Sequence, residues 1–150
     1  MCIRDSFLAG ALLQRLFCYD QPPARARTFT VGIYAAIGTM SAIYIRSGDL
    51  GVHMALFLGM LAMIGVRTMW LVNQKQDKER LWWRFGGVCA YLALGFLLWN
   101  VDLEWCQELR RLRERVGLPW AWGLELHGWW HVLTAVGAAR FMELVRELCP

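Results

Sequence analysis

Phe85-Gly86-Gly87-Val88-Cys89-Ala90-Tyr91-Leu92-Ala93-Leu94-Gly95-Phe96-Leu97-Leu98-Trp99-Asn100-Val101 carries no formal charge over 17 residues, between Arg84 and Asp102. A helix of that length reaches roughly 26 Å at ~1.5 Å per residue, close to the ~30 Å hydrocarbon core of a bilayer. Two similar runs precede it. Thr28 to Ile45 has 18 residues and ends at Arg46, and Leu50 to Val66 has 17 and ends at Arg67. A fourth, Val116 to Ala139, lies between Arg115 and Arg140 and has 24 residues with Glu125 as its only formal charge. Ser6 to Phe17, interrupted by Arg15, reads as the tail of a further span. The expected fold is therefore all-α, a polytopic transmembrane helix bundle of about four full spans plus a partial first one.

Composition agrees. Of 150 residues, 57% are hydrophobic and 19% charged, with nine Trp, which is too apolar for an ordinary soluble domain. Counting Lys and Arg on alternate sides of the spans gives ten on one side. These are Arg15, Arg25, Arg27, Arg67, Lys75, Lys78, Arg80, Arg84, Arg140 and Arg146. The other side has five: Arg46, Arg110, Arg111, Arg113 and Arg115. The positive-inside rule then puts the Pro22-Pro23 loop, the Gln74 to Arg84 loop and the C-terminus in the cytosol. Because the basic residues are divided between two membrane faces, the net charge of +4 makes no nucleic-acid surface, and no nucleic-acid partner is expected.

Connections between the spans are short, so antiparallel neighbours are expected within one helical domain over residues 7–150. Met1-Cys2-Ile3-Arg4-Asp5-Ser6 resembles the in-frame translation of a transposase adapter, and residues 1–6 are set apart from the fold on that ground. The natural N-terminal part is then expected to lie upstream of Phe7. Leu103 to Val116, rich in Glu, Arg and Leu, predicts a surface helix, with Asp102 as its N-cap and its arginines in water and headgroups. Trp82, Trp83, Trp99, Trp105, Trp120 and Trp122 fall near span ends, as an aromatic belt requires. Gly32, Ala36, Gly59, Ala62, Gly95 and Gly137 allow close helix approach.

Chemistry concentrates in Leu126-His127-Gly128-Trp129-Trp130-His131-Val132. Four residues of α-helix turn through about 400°, so His127 and His131 project from one face and could share a tetrahedral metal ion. On a continuous helix Trp120, Gly123, Thr134 and Ala138 fall on that same face, while Trp122 and Trp129 point away. The bland alternative is two histidines hydrogen-bonded to neighbouring helices. Gly128 stands where H-E-x-x-H needs Glu, which argues against a zincin protease. Two imidazoles one turn apart cannot reach opposite faces of one haem. His53, near the head of its own span, reads as an interfacial histidine. The cysteines form no C-x-x-C pair, and Cys89 reads as an inert thiol in a span. Cys106 falls in the non-cytosolic loop, where an oxidising lumen would permit a disulfide.

The run Leu98-Trp99-Asn100-Val101-Asp102, then Cys106, Leu118-Pro119 and Leu124-Glu125-Leu126-His127-Gly128-Trp129-Trp130-His131-Val132-Leu133-Thr134, resembles the C-terminal third of alkaline ceramidases. Weaker similarity, including Asp49 and His53, extends back to about Phe7. The resemblance implies a seven-helix fold with a cytosolic C-terminus, of which this chain would be the last four helices and part of the third. It implies a zinc amidase in the endoplasmic reticulum or Golgi that hydrolyses ceramide to a sphingoid base and a fatty acid. Zinc would lower the pKa of a bound water toward ~7 and polarise the amide carbonyl. Of the family's three zinc ligands, the late H-x-x-x-H pair maps onto His127 and His131. The third ligand, a Ser and the general-base Asp belong to S-x-x-x-H and D-E-L-P-M motifs that this sequence lacks. The family's acidic N-terminal Ca2+ loop and the usual disulfide partner of Cys106 are also absent, so the chain alone is expected to be inactive.

Trp99 and Asn100 are candidate contacts to the lipid substrate, against the alternatives of an interfacial anchor and a helix-helix hydrogen bond. Thr134 could meet a ligand or bond to its own helix backbone. Two competing readings stay open. One is a related seven-helix lipid hydrolase or receptor-like protein with a late H-x-x-x-H; the other is a non-catalytic membrane protein whose histidines only stabilise packing.

Overall fold

A computed structural model describes the backbone of residues 3–48 and 50–150, and their side chains apart from residues 3–5, 50, 52 and 53. All regular structure among the described residues is helical. The helices are α1 (Ile3–Cys18), α2 (Pro23–Ser47), α3 (Leu50–Gln74), α4 (Lys78–Glu104), α5 (Cys106–Val116) and α6 (Leu126–Leu148), with a 3₁₀ turn at Trp120–Leu124. Three are long and apolar enough to cross a membrane: Pro23–Ser47, Met54–Gln74 and Lys78–Glu104. Ser6–Cys18 is a shorter apolar helix, in keeping with the partial first span. Little of the three long helices is covered by protein, and Val31, Ile45, Val66 and Leu97 all lie more than half exposed. Apolar side chains left outward along membrane-length helices are what lipid solvates.

Two compact units divide the chain, residues 1–78 with 145–150 and residues 79–144. In the first, α1 packs on both α2 and α3. Its buried residues Ser6, Ala9, Leu13 and Leu16 recur at helical spacing and so form one stripe. The facing stripe of α3 is Met60, Ile64, Thr68, Leu71 and Val72. Thr68 is fully buried without cost because its hydroxyl donates to the Ile64 carbonyl at 2.7 Å. Gly10 brings α1 and α2 together, since a Cβ there would meet the Ile37 Cδ1 at 2.7 Å. Arg67 closes one end of the unit: its Nε donates to the Leu16 carbonyl at 3.3 Å and its guanidinium lies over the rings of Phe17 and Trp70. Arg15 donates to the Cys149 carbonyl at the C-terminus.

In the second unit, small residues again set the approach of helices. A Cβ on Gly95 of α4 would stand 3.1 Å from the Trp130 ring of α6, and one on Gly137 would stand 3.3 Å from Leu92. Gly32 and Gly59, also expected to mediate close approach, have no such neighbour.

The last apolar run does not form one helix. α5 ends at Val116, and Gly117 follows with φ 69°, a left-handed conformation that suits glycine. Pro119 and the 3₁₀ turn come next, and α6 starts only at Leu126. Of the 24 uncharged-looking residues, only Leu126 to Ala139 are apolar helix, roughly 21 Å at ~1.5 Å per residue. Absence of charge marked the run; Gly117 and Pro119 decide its backbone. The expected fourth full span is therefore not found: among the described residues three helices are long and apolar enough to cross, and α6, which begins ten residues later and runs on past Arg140, is not one of them.

Asp102 differs from expectation too. α4 continues to Glu104, so Asp102 lies inside its last turn, and the residue capping α5 is Trp105, whose side chain makes no capping bond.

A paired-histidine site at the start of the last helix

His127 and His131 occupy the first two turns of α6, both exposed in this chain. Their Nε2 atoms are 3.1 Å apart, with ring centroids separated by 4.8 Å and planes inclined by 81°. Two nitrogens bound at ~2.0–2.1 Å to one tetrahedral zinc stand about 3.3 Å apart, so the pair fits two corners of such a site. The donor chemistry fits as well, imidazole being a good zinc ligand. No group of three or more His, Cys, Asp or Glu side chains that could hold a metal occurs among the described residues. His53 falls outside the described side chains, as does Asp49 outside the described residues.

The continuous wheel is corrected by the break before Leu126. Trp120 and Gly123 belong to the 3₁₀ turn and do not extend the histidine face. The pair lies near the N-terminal end of α6. It sits at a helix start next to Trp120 and Trp122, which are about three-quarters exposed (76% and 77%) and suit an interfacial belt.

Trp99 stacks on Trp130, with ring centroids 5.8 Å apart and planes inclined by 27°, which ties α4 to α6 beside His131. Phe96 adjoins it at 5.9 Å. The Asn100 amide donates to the Phe96 carbonyl of its own helix at 2.7 Å, not to another helix. Thr134 donates to the carbonyls of Trp130 and His131 at 2.8 and 3.1 Å, the backbone role named above as one alternative. Cys106 is exposed and free.

Sequence reasoning missed the groups just outside the pair. Glu125 immediately precedes α6, and its Oε1 accepts a 2.7 Å bond from Arg113 of α5. The same guanidinium lies 3.6 Å from Asp102 at the end of α4. Arg113 is therefore largely engaged by protein, with a side chain only 22% exposed, where water and headgroups were expected. The sequence signal was the pattern Asp102…Arg113…Glu125, three charges flanking two helix ends. The Trp129 indole N–H adds a second fastening by donating to the Gly123 carbonyl at 3.1 Å.

Lipid-length apolar helices together with a pair of imidazoles at a helix start define a helical membrane protein with a candidate metal site. The ceramidase family model matches residues 6–148, and the chain belongs to that family. It is 30% identical over 112 residues to alkaline ceramidase 3 of Mus musculus, covering 73% of this chain and 40% of the relative. Alkaline ceramidase YPC1 of Saccharomyces cerevisiae is 30% identical over 119 residues, 75% of this chain and 37% of the relative. The chain thus spans about two-fifths of the length of these relatives. No solved structure matches.

Proposed function

We propose that the protein carrying this chain is a zinc-dependent hydrolase of the ceramide amide bond, with His127 and His131 as two of three metal ligands. The observation that carries this reading is the 3.1 Å separation of the two Nε2 atoms on a chain of the ceramidase family. When bound, zinc would supply an acidified water and polarise the amide carbonyl. The two imidazoles would hold the metal at the start of α6, with Trp99, Trp130 and Gly95 fixing that helix against α4. Net reaction adds water across the C–N bond, giving a fatty acid and a sphingoid base. Trp99 and Asn100 stay candidate substrate contacts, with intrachain roles as well: Trp99 stacks on Trp130 and the Asn100 amide donates to the Phe96 carbonyl.

Two imidazoles are one ligand short of a catalytic zinc site with an open position. The 150-residue chain alone is therefore proposed to release no fatty acid. We place the protein in endoplasmic reticulum or Golgi membrane with its C-terminus cytosolic, on family likeness and the ten-to-five division of basic residues. Any Ca2+ requirement would belong to family segments with no counterpart here.

The test uses the longest natural protein containing this chain, reconstituted with ceramide in liposomes. Fatty acid release should be lost on chelation, restored by zinc, and lost with bound zinc in His127→Ala and His131→Ala. Zinc content unchanged in both variants would overturn the site, leaving the histidines as packing residues. Ceramide uncleaved while another lipid is hydrolysed would assign a related lipid hydrolase instead.

A further inference from the structure

We propose that Arg113 is the positioning residue for the metal site, clamping the backbone just before α6 so that His127 stays in register with His131. This rests on the zinc reading of the pair and adds a device outside it.

The two histidines are held by different means. His131 follows Trp130, whose ring is packed against Gly95 and stacked on Trp99, so its place is set by close packing on α4. His127 is the second residue of α6, where a helix end lacks part of its ladder and frays most readily. Packing of that kind is absent around Gly128, whose added Cβ would meet nothing nearer than the Glu125 Cβ at 3.8 Å. This first turn is held by Glu125, two residues before His127 and bonded at 2.7 Å to Arg113, and by the Trp129 indole on the Gly123 carbonyl.

Arg113 is itself anchored. It lies in the last turn of α5, its carbonyl accepts the Gly117 N–H at 3.0 Å, and its guanidinium faces Asp102 at 3.6 Å. A single planar fork thereby joins the end of α4, the end of α5 and the start of α6, a task a lysine ammonium performs poorly. Two buried atoms in this cluster, Asp102 Oδ1 and Arg113 Nε, have no hydrogen-bond partner. The clamp is thus not fully closed, and a shift of a few tenths of an ångström toward Asp102 would turn the 3.6 Å ion pair into a direct bond. Loss of the clamp frees Glu125 and lets the first turn of α6 unwind, which separates the two nitrogens without removing either.

The experiment measures zinc affinity of the longest natural protein containing this chain, purified in detergent, by chelator competition, alongside the visible absorption of bound Co2+ and helix content by circular dichroism. His127→Ala and His131→Ala define histidine-dependent binding. Removing a group that supports a ligand lowers metal affinity about 10- to 100-fold, and Arg113→Gln should fall in that range with an altered Co2+ band. Arg113→Lys should be intermediate, and Glu125→Gln should weaken zinc in the same direction, providing the reading if Arg113→Gln does not fold. A merely structural arginine would lower the unfolding midpoint and leave the affinity and Co2+ band of the folded protein unchanged, which would overturn the proposal. Zinc binding independent of both histidines would remove the zinc reading itself, and this inference with it.

Discussion

Trp99 stacks on Trp130 with ring centroids 5.8 Å apart, and Trp130 in turn covers Gly95, so one indole of α6 meets two residues of α4 one turn apart. Stacked aromatic pairs contribute about 0.5–1.5 kcal/mol beyond the area they cover. A double-mutant cycle on Trp99→Ala and Trp130→Ala, read by equilibrium unfolding in mixed micelles, should return a coupling in that range. A coupling near zero would mean that the rings are neighbours without mutual support.

Gly95→Leu places new carbon atoms against the Trp130 ring, where even a Cβ stands at 3.1 Å. Overpacking of this kind costs about 1–3 kcal/mol. A Cβ at Gly59 meets no neighbour within 4 Å, so Gly59→Leu should not destabilise the protein. Equal effects at the two glycines would contradict the close approach of α4 and α6.

Thr134→Ala should be silent for zinc binding. Its hydroxyl is directed to the carbonyls of Trp130 and His131, within its own helix. Chelator competition on this variant should reproduce the parent affinity; a loss comparable with that of His131→Ala would make the hydroxyl a ligand or a ligand's partner.

Cys149 is fully buried at the C-terminus, and burial pushes its thiol pKa up, an effect only partly offset by Arg15, Lys75 and Arg67. The neutral thiol suits the fold, so its contribution to stability is complete below the ordinary thiol pKa and lost as pH rises through the raised one. Since thiolate is the reacting form, alkylation at pH 8 should be much slower at Cys149 than at exposed Cys106. Peptide mapping after a timed pulse of iodoacetamide checks this; equal rates would show that the C-terminus is open.

Sidedness has its own assay. A membrane-impermeant maleimide applied to sealed vesicles should reach Cys106 from the side opposite Lys78, as a membrane-crossing α4 requires. Labelling of Cys106 from the same side as proteolysis near Lys78 would show that α4 does not cross the membrane.

Much of the fold was legible because lipid imposes a simple rule on sequence. A run free of charge between charged residues predicted α2, α3 and α4, each of which extends beyond its run by several residues. The same rule misread Val116 to Ala139, since charge reports on the environment of side chains whereas Gly117 and Pro119 act on the backbone. His127 and His131 were legible from spacing alone, helical geometry being enough to bring them together. Arg113 was not, for its partners Asp102 and Glu125 lie 11 and 12 residues away across helix ends whose positions a charge count does not give. Asp102 shows the same limit: a carboxylate before an amphipathic segment reads as a cap, but α4 continued through it.

The late start of α6 also bears on how water reaches the two imidazoles. Leu126 opens the helix, and His131 is only five residues farther, roughly 8 Å along the axis. A solvent molecule arriving from the connecting turn between Gly117 and Glu125 meets both rings within that distance. Water can then reach both exposed imidazoles from the loop side of the helix.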